Sequence, residues 1–393
     1  MTGPLADLTV VQLAGDRSAE HCGRLFADYG ATVISVEQPA VPAPRPSEVD
    51  DAVRVATDRG KRGIAIDLTT PTGRGVLVDV VGQADVFVHS LRPAELAELG
   101  LGTALAGLGG LVTVSVTGFG AVGPYRNHAW SDLVCCAAGN ISFGIGARDG
   151  APLKLPLSLA GCEAGATGFL AAMAALCGTP GEDGVRPGAD IDVAITDVLA
   201  CMFSTGVTAF PYRGVAGRRN GNHGIALYPD VFLPCKDGFV GLVCNQLAMW
   251  LRFLELIGSP TWTDEPRYRD RRRMTEEYPE EVDAHLVPWL AERTREEIFA
   301  LCRERHIPVA PAYTVGELLA NQHLLDRAAF TELRLAGRSG VRVPAPPFVF
   351  STLLPSRWVS APRTGEHTFD VLTGVAGMST DQVAGLYASG AVA

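Results

Sequence analysis

Residues 8–36 read as strand, helix, strand, and a chain that opens this way is committed to a layered α/β fold. Leu8–Leu13 is a short apolar run. In Ser18–Tyr29 the apolar Cys22, Leu25, Phe26 and Tyr29 recur at i, i+3, i+4 and i+7, one face of a helix. Ser18 is placed to cap its start, and Gly30 to end it in the left-handed conformation. Ala31–Val36 supplies the second strand. Such a crossover is right-handed and makes the two strands parallel. The turn reads Ala14-Gly15-Asp16-Arg17-Ser18 and not GxGxxG. The dinucleotide fingerprint is therefore absent, although the unit is of the doubly wound type.

The pattern continues with strand Gly63–Leu68, helix Thr72–Gln83, and strands Asp85–His89, Leu111–Thr117 and Ile191–Ile195. Ligands of an open α/β sheet bind at the carboxyl ends of such strands. Pro39–Ser47 and Gly178–Gly188 are Pro- or Gly-rich loops, and Gly214–Gly224 is a linker or ligand-facing loop. After it the composition changes. Val231–Val243 predicts a hairpin turning at Lys236-Asp237-Gly238, followed by helices Gln246–Ile257, Pro279–Glu292 and Arg295–Glu304. That is a separate α+β domain. From Pro308 onward the chain is Pro-rich, and its tail is ordered by docking onto the first domain.

The formal net charge of −10 argues against nucleic acid or an anionic membrane as partner. Nine scattered cysteines without a CxxC or a His at ligand spacing predict buried thiols in a reducing, cytoplasmic compartment and no metal site. The first residues, MTGPLADLTVV, do not read as a signal peptide, and no apolar run approaches the ~20 residues of a membrane span.

Pro156–Leu176 is a polar loop running into an apolar helix with small residues at Ala160, Gly161, Ala164, Gly165, Ala166 and Gly168. Small side chains let another backbone or a ligand come close. Glu163 sits among them, either as a capping acid or as a nucleophile. Elsewhere, Arg59, Lys61 and Arg62 form a basic cluster that holds a phosphate or is a solvated turn. His89 and Arg92 follow a strand. Asp132 is a catalytic acid, an orienter of a base, or an N-cap. His128 and His223 lie in loops with no carboxylate at fixed spacing. No Ser/His/Asp set stands out.

The order of segments resembles the family III CoA-transferases, which include formyl-CoA transferases, carnitine CoA-transferases and the α-methylacyl-CoA racemases. PLADLTVVQL…GRLFADYGATVISVE is similar to their opening, DRGKRGIAIDLTTPTGRGVL to their NRGKRS stretch, and ADVFVHSLRPAELAELGLG to their ENFRPG segment. SVTGFGAVGPY, LPCKDGFVGL, HIPVAPAYTVGELLANQHL and PRTGEHTFDVL match later family segments in order. The resemblance implies a Rossmann-like large domain from residues 1–200 and the returning tail 325–393, with a smaller α+β domain at 225–310. It implies open-ring subunits interlocked as a dimer. It also implies a reaction in which an Asp attacks an acyl-CoA thioester and carries CoA as an aspartyl thioester between carboxylates. CoA thioesters are then substrates, and no permanently bound cofactor is required.

The sequence departs from that pattern where the chemistry needs it. The family's Asp falls at Gly161 counting back from Ala174–Leu176, and at Cys162 counting forward from Pro156-Leu157. The racemases' His is Ser131 here. Basic residues that family transferases set against CoA phosphates fall at Gln38, Glu98 and Ala129. Positions matching the CoA groove are Arg17, Ser18, Asp67, Leu68, Ser90, Leu91, Arg92 and Asp132. Three alternatives follow: a degenerate subunit paired with an Asp-bearing homologue, an active enzyme using Glu163, or a non-catalytic protein binding an acyl group or carboxylate. Cys162 is a poorer nucleophile, because burial raises a thiol pKa.

Overall fold

The computed structural model describes residues 3–13, 15–39, 48–179, 187–202, 204–214, 216–225, 227–335, 338–351 and 360–393. Ala14, Val215, most of the Pro39–Ser47 loop and the middle of Gly178–Gly188 lie outside them. The chain forms two compact units. One takes residues 1–141, 154–212 and 325–393, the other 142–153 and 213–324.

The first unit is built on six parallel strands: β1 (Thr9–Leu13), β2 (Thr32–Glu37), β3 (Arg62–Ala65), β4 (Val86–His89), β5 (Val112–Thr117) and β6 (Ala189–Ala194). Their order is β3-β2-β1-β4-β5-β6, the Rossmann arrangement. Central strands are mostly apolar because helices cover both faces; Gln12 of β1 and Ser35 of β2 are buried polar exceptions. Val10, Val11, Ile34, Val36, Phe87 and Val88 are all fully buried. Strand order reverses between β1 and β4, so their carboxyl ends diverge and open a crevice.

Strand ends differ from the sequence expectation by a residue or two, except at β3. That strand stops at Ala65, since Ile66 pairs instead with Val392 in an antiparallel bridge. The Asp67 amide donates to the Ala391 carbonyl at 2.9 Å, and the Ala393 amide to Ala65 at 3.1 Å. The tail's last residues thus satisfy the backbone groups that the end of β3 leaves open. The hairpin β10 (Phe330–Leu335) and β11 (Arg338–Pro344) belongs to the same unit.

One helix pair fixes the crevice. The helix Arg17–Asp28 packs against the 18-residue helix Leu159–Leu176. The buried face of the latter is Ala160, Gly161, Ala164, Gly165, Gly168 and Ala172. By length and composition this helix is long and apolar enough to cross a membrane, which corrects the expectation from run length. Its small-residue face is occupied by the neighbouring helix and by Val114 and Val116 of β5. A Cβ at Gly165 would overlap the Ser18 carbonyl oxygen and crowd His21 Cβ at 3.1 Å.

The second unit has a three-stranded antiparallel sheet, β7 (Asp230–Cys235), β8 (Gly238–Val243) and β9 (Val309–Pro311). The expected hairpin is present with Cys235 opposite Gly238, so its loop is only Lys236-Asp237. Helices Leu247–Leu256, Pro279–Ala291 and Arg295–Glu304 cover it, burying Trp250, Phe253, Leu286, Leu290 and Ile298.

The helix contact gives a direct test. Gly165→Ala should destabilise the chain by about 1–3 kcal/mol, because forced overlap with a backbone oxygen outweighs the helix propensity that Ala adds. Urea unfolding measures it; an unchanged or raised midpoint would contradict the close approach of the two helices.

Candidate active site

A cleft of about 360 Å³ opens at the crevice between β1 and β4. It is lined by Leu13, Gly15 and Asp16 after β1, by Ser90, Leu91, Arg92 and Glu95 after β4, and by Ala129 and Trp130. Gly15 takes φ +147°, a conformation open to glycine, where the chain leaves β1 for the helix.

The cap of that helix is Asp16, not Ser18. Asp16 Oδ1 accepts from the Ser18 amide at 2.8 Å and from Ser18 Oγ at 2.5 Å. Ser18 is fully buried, with its hydroxyl committed to Asp16. Gly30 at the other end has φ +101°, as its place after the helix requires. Arg17 Nη1 binds Glu20 Oε2 at 2.8 Å. Arg92 is held in the same manner. Its Nη2 donates to Glu95 Oε1 at 2.6 Å, its amide to Glu95 Oε2 at 2.8 Å, and its Nη1 to the Asn127 carbonyl at 3.0 Å. The cleft wall therefore carries two acids, Asp16 and Glu95, against one arginine that is already paired. Ala129 contributes no charge.

Gly161 faces the start of the Arg17–Asp28 helix. A Cβ there would lie 3.6 Å from the Ser18 amide nitrogen and 3.7 Å from Arg17 Cβ, ordinary van der Waals spacing. A Cβ at this position is accommodated, unlike at Gly165. Asp132 sits beside it. Ser131 caps Asp132's own helix, Asp132–Ala138, through a bond from the Val134 amide at 3.4 Å. The Asp132 carboxylate is turned instead to the longer helix. Its Oδ1 accepts the Gly161 amide at 3.2 Å, and its Oδ2 receives Lys154 Nζ at 3.3 Å and Cys136 Sγ at 3.8 Å. Asp132 thus satisfies a helix-start amide of another segment.

Glu163 is the fifth residue of its helix, past the first turn, so it is not the capping acid. Two residues separate it from Gly161, which turns it about 200° around the helix. Cys162 is half-buried, and burial raises its thiol pKa. Asp67 accepts from the amide and hydroxyl of Thr69 at 2.9 and 2.6 Å, and these bonds hold its carboxyl below the ordinary range. Leu68 is buried in the apolar core, and its carbonyl accepts from Arg74 at 3.0 Å. Of the eight groove positions, Ser90, Leu91 and Arg92 line the cleft; Arg17 and Ser18 follow directly on its Asp16 wall.

Two members of the basic cluster, Arg59 and Lys61, are buried and paired, while Arg62 is exposed. Arg59 is fully buried and binds both carboxylate oxygens of Asp28 at 3.1–3.2 Å. Lys61 Nζ is buried against Gln12 Oε1 at 2.7 Å, Asp58 Oδ1 at 2.9 Å and the Glu20 carbonyl at 2.9 Å. Together they tie the β2–β3 connection to the first helix. His89 is buried, and its Nδ1 accepts the Leu91 amide at 3.2 Å, which shapes the cleft loop. His223 does have a carboxylate partner: Asp283 Oδ2 lies 2.8 Å from its Nε2, and Tyr228 donates to Asp283 Oδ1 at 2.7 Å. Sixty residues separate that pair in sequence, so no spacing rule finds it. Glu95 was within reach of sequence reading, since Arg-Pro-x-Glu has the spacing of a helix-start box.

The sequence profile of CoA-transferase family III matches residues 5–368. The chain belongs to this family. It is similar to succinyl-CoA–D-citramalate CoA-transferase of Chloroflexus aurantiacus, 27% identical over 98% of this chain and 97% of that protein. It is also similar to the beta subunit of succinyl-CoA–L-malate CoA-transferase of the same organism, 26% identical over 97% and 96%. A CaiB/BaiF family protein from Brucella suis superimposes with a TM-score of 0.83 at 25% identity, covering 95% of this chain and all of that one. The family III match thus spans nearly the whole chain.

Two histidines, buried His89 and half-buried His21, predict a pH dependence. Burial pushes His89 down to about 4. Burial first, then the charges of Arg24 and Lys61, brings His21 down to about 4 as well. An unfolded histidine titrates near ~6.5, so on acidification the unfolded chain takes up protons before the folded one does. Stability from these groups is complete above that pH and is lost as pH falls toward 4. The slope is at most about 1.4 kcal/mol per pH unit per histidine. Urea titrations between these limits should show it, and His89→Asn, which keeps an acceptor for the Leu91 amide, should reduce it. An unaltered slope in that variant would contradict the assignment.

Proposed function

We propose that this chain is a component of a family III CoA-transferase whose own nucleophile position is vacant, and that it works with a homologous subunit bearing the catalytic Asp. The family moves CoA between an acyl-CoA and a carboxylic acid; here the covalent CoA carrier belongs to the partner. The observation that carries the proposal is Gly161. A Cβ there would meet the Ser18 amide and Arg17 at ordinary contact distances, so packing against the first helix does not itself demand a glycine. A carboxylate there would also gain from the helix N-terminus.

The charge balance of the cleft supports the same conclusion. Arg17 and Arg92 each bind a glutamate three residues on, and Ala129 stands at the wall where a basic residue would meet phosphate. The groove of this chain is a weakened CoA site formed around Arg17, Ser18, Ser90, Leu91 and Arg92, with Asp67, Leu68 and Asp132 as structural supports. Relatives named as alpha and beta subunits of one CoA-transferase give a precedent for two different chains sharing the work. The partner interlocks with this chain as open rings do. Exposed Met202, Val207, Phe210 and Tyr212 on helices Ile195–Met202 and Ser204–Arg213 offer the apolar surface that such a partner covers. The complex is cytoplasmic, in keeping with nine free thiols.

Glu163 as a replacement nucleophile is not favoured, since the helix turns it away from the Ser18 side. Glu163→Gln in this chain should leave the transfer rate of the assembled complex within about twofold, whereas removing a covalent nucleophile costs orders of magnitude. Steady-state assays of the co-purified complex with acyl-CoA and a carboxylate decide it. Loss of activity on that single substitution would overturn the assignment.

A further inference from the structure

The second unit holds an arginine-rich stretch, Pro266-Arg267-Tyr268-Arg269-Asp270-Arg271-Arg272-Arg273, in a chain of net charge −10. Its five guanidiniums sort into two groups. The outer pair is neutralised: Arg267 binds Glu281 and Arg273 binds Glu277, each at 2.7 Å. The inner three, Arg269, Arg271 and Arg272, form no salt bridge among the described residues, and all three line one cleft of about 590 Å³.

Arg271 is the telling member. It is buried, with only 8% of its surface exposed. Its Nε donates to the Tyr228 carbonyl at 2.6 Å and its Nη2 to the Cys244 carbonyl. Both partners are neutral, and Trp250 faces the guanidinium at 5.8 Å. A buried cation is ordinarily paired with a charge, because carbonyl dipoles alone do not repay its lost hydration. Arg269 and Arg272 are exposed on the same cleft. The single acid of the lining, Asp270, is turned to the amides of Arg272 and Arg273 at 3.0 and 3.2 Å. Leu227, Leu247 and Pro266 supply apolar wall, and Asn245 an amide.

We propose that this cleft binds a small dicarboxylic acid. One carboxylate meets the buried Arg271, the other meets Arg269 and Arg272, and the aliphatic stem lies on the apolar wall. Guanidinium forks suit carboxylates, and the size of the cleft and its apolar wall suit an organic acid better than an inorganic ion. The site lies wholly within the second unit and does not depend on whether the chain carries a nucleophile.

Isothermal titration of the full chain at low ionic strength tests it, with succinate, glutarate, propionate and inorganic phosphate as probes. One of the two diacids should bind with a dissociation constant on the order of 1 mM or tighter, ahead of propionate and phosphate. Arg269→Gln and Arg272→Gln should each weaken that binding roughly tenfold. Arg273→Gln, whose parent side chain is already paired, should leave it unchanged. Arg271 also holds two carbonyls, so its variants are not needed. Failure of both diacids to bind, preference for phosphate or propionate, or binding indifferent to Arg269→Gln and Arg272→Gln would each overturn the proposal.

Discussion

The contact between two helices across a glycine seam is what the rest of the large unit depends on. Gly165 lets the Ser18 carbonyl approach the Leu159–Leu176 helix more closely than any side chain would allow. That approach sets where the first helix begins, and its beginning is the wall of the cleft. One turn earlier, at Gly161, the same seam widens. There the missing side chain is not forced by packing, since a Cβ would meet its neighbours at ordinary distances. Two glycines on one face of one helix therefore have different physical reasons. One is required by the close approach of the first helix; the other is not.

Around Gly161 the polar groups are mutually satisfied. Asp132 is shared among the Gly161 amide, Lys154 and Cys136. Arg17 and Arg92 are held by Glu20 and Glu95. Such local pairs are individually weak when solvent reaches them. They nevertheless remove the open cationic surface that a polyphosphate ligand would seek. On the proposed reading, a working CoA site would need unpaired cations for the phosphates and a free carboxylate for the thioester, and the pairs of this cleft offer neither.

Much of the architecture was legible in the sequence because its signals are local. The apolar runs of the parallel strands, the four-residue stripe of the first helix and the Asp-Gly hairpin each depend on neighbours a few residues away. The long-range pairs were not legible. Arg59 and Lys61 looked like surface cations because Asp28 and Gln12 lie 31 and 49 residues earlier. Asp132 looked like the cap of its own helix, yet it serves one that begins beyond residue 158. The strand β9 is three residues long and carries no periodicity to detect. The cap at Asp16 was missed in favour of Ser18, two residues of similar capping chemistry two positions apart. Resemblance to a family supplied what periodicity could not, the family itself.

The central claim is that this polypeptide lacks its own CoA carrier. Intact-protein mass spectrometry after incubation with acyl-CoA addresses it directly, first on the isolated chain and then on its complex with an Asp-bearing homologue. The account predicts an unmodified mass for this chain in both samples and a CoA-sized covalent adduct on the partner. A CoA adduct on this chain alone, mapped to a residue of the Leu159–Leu176 helix, would contradict it.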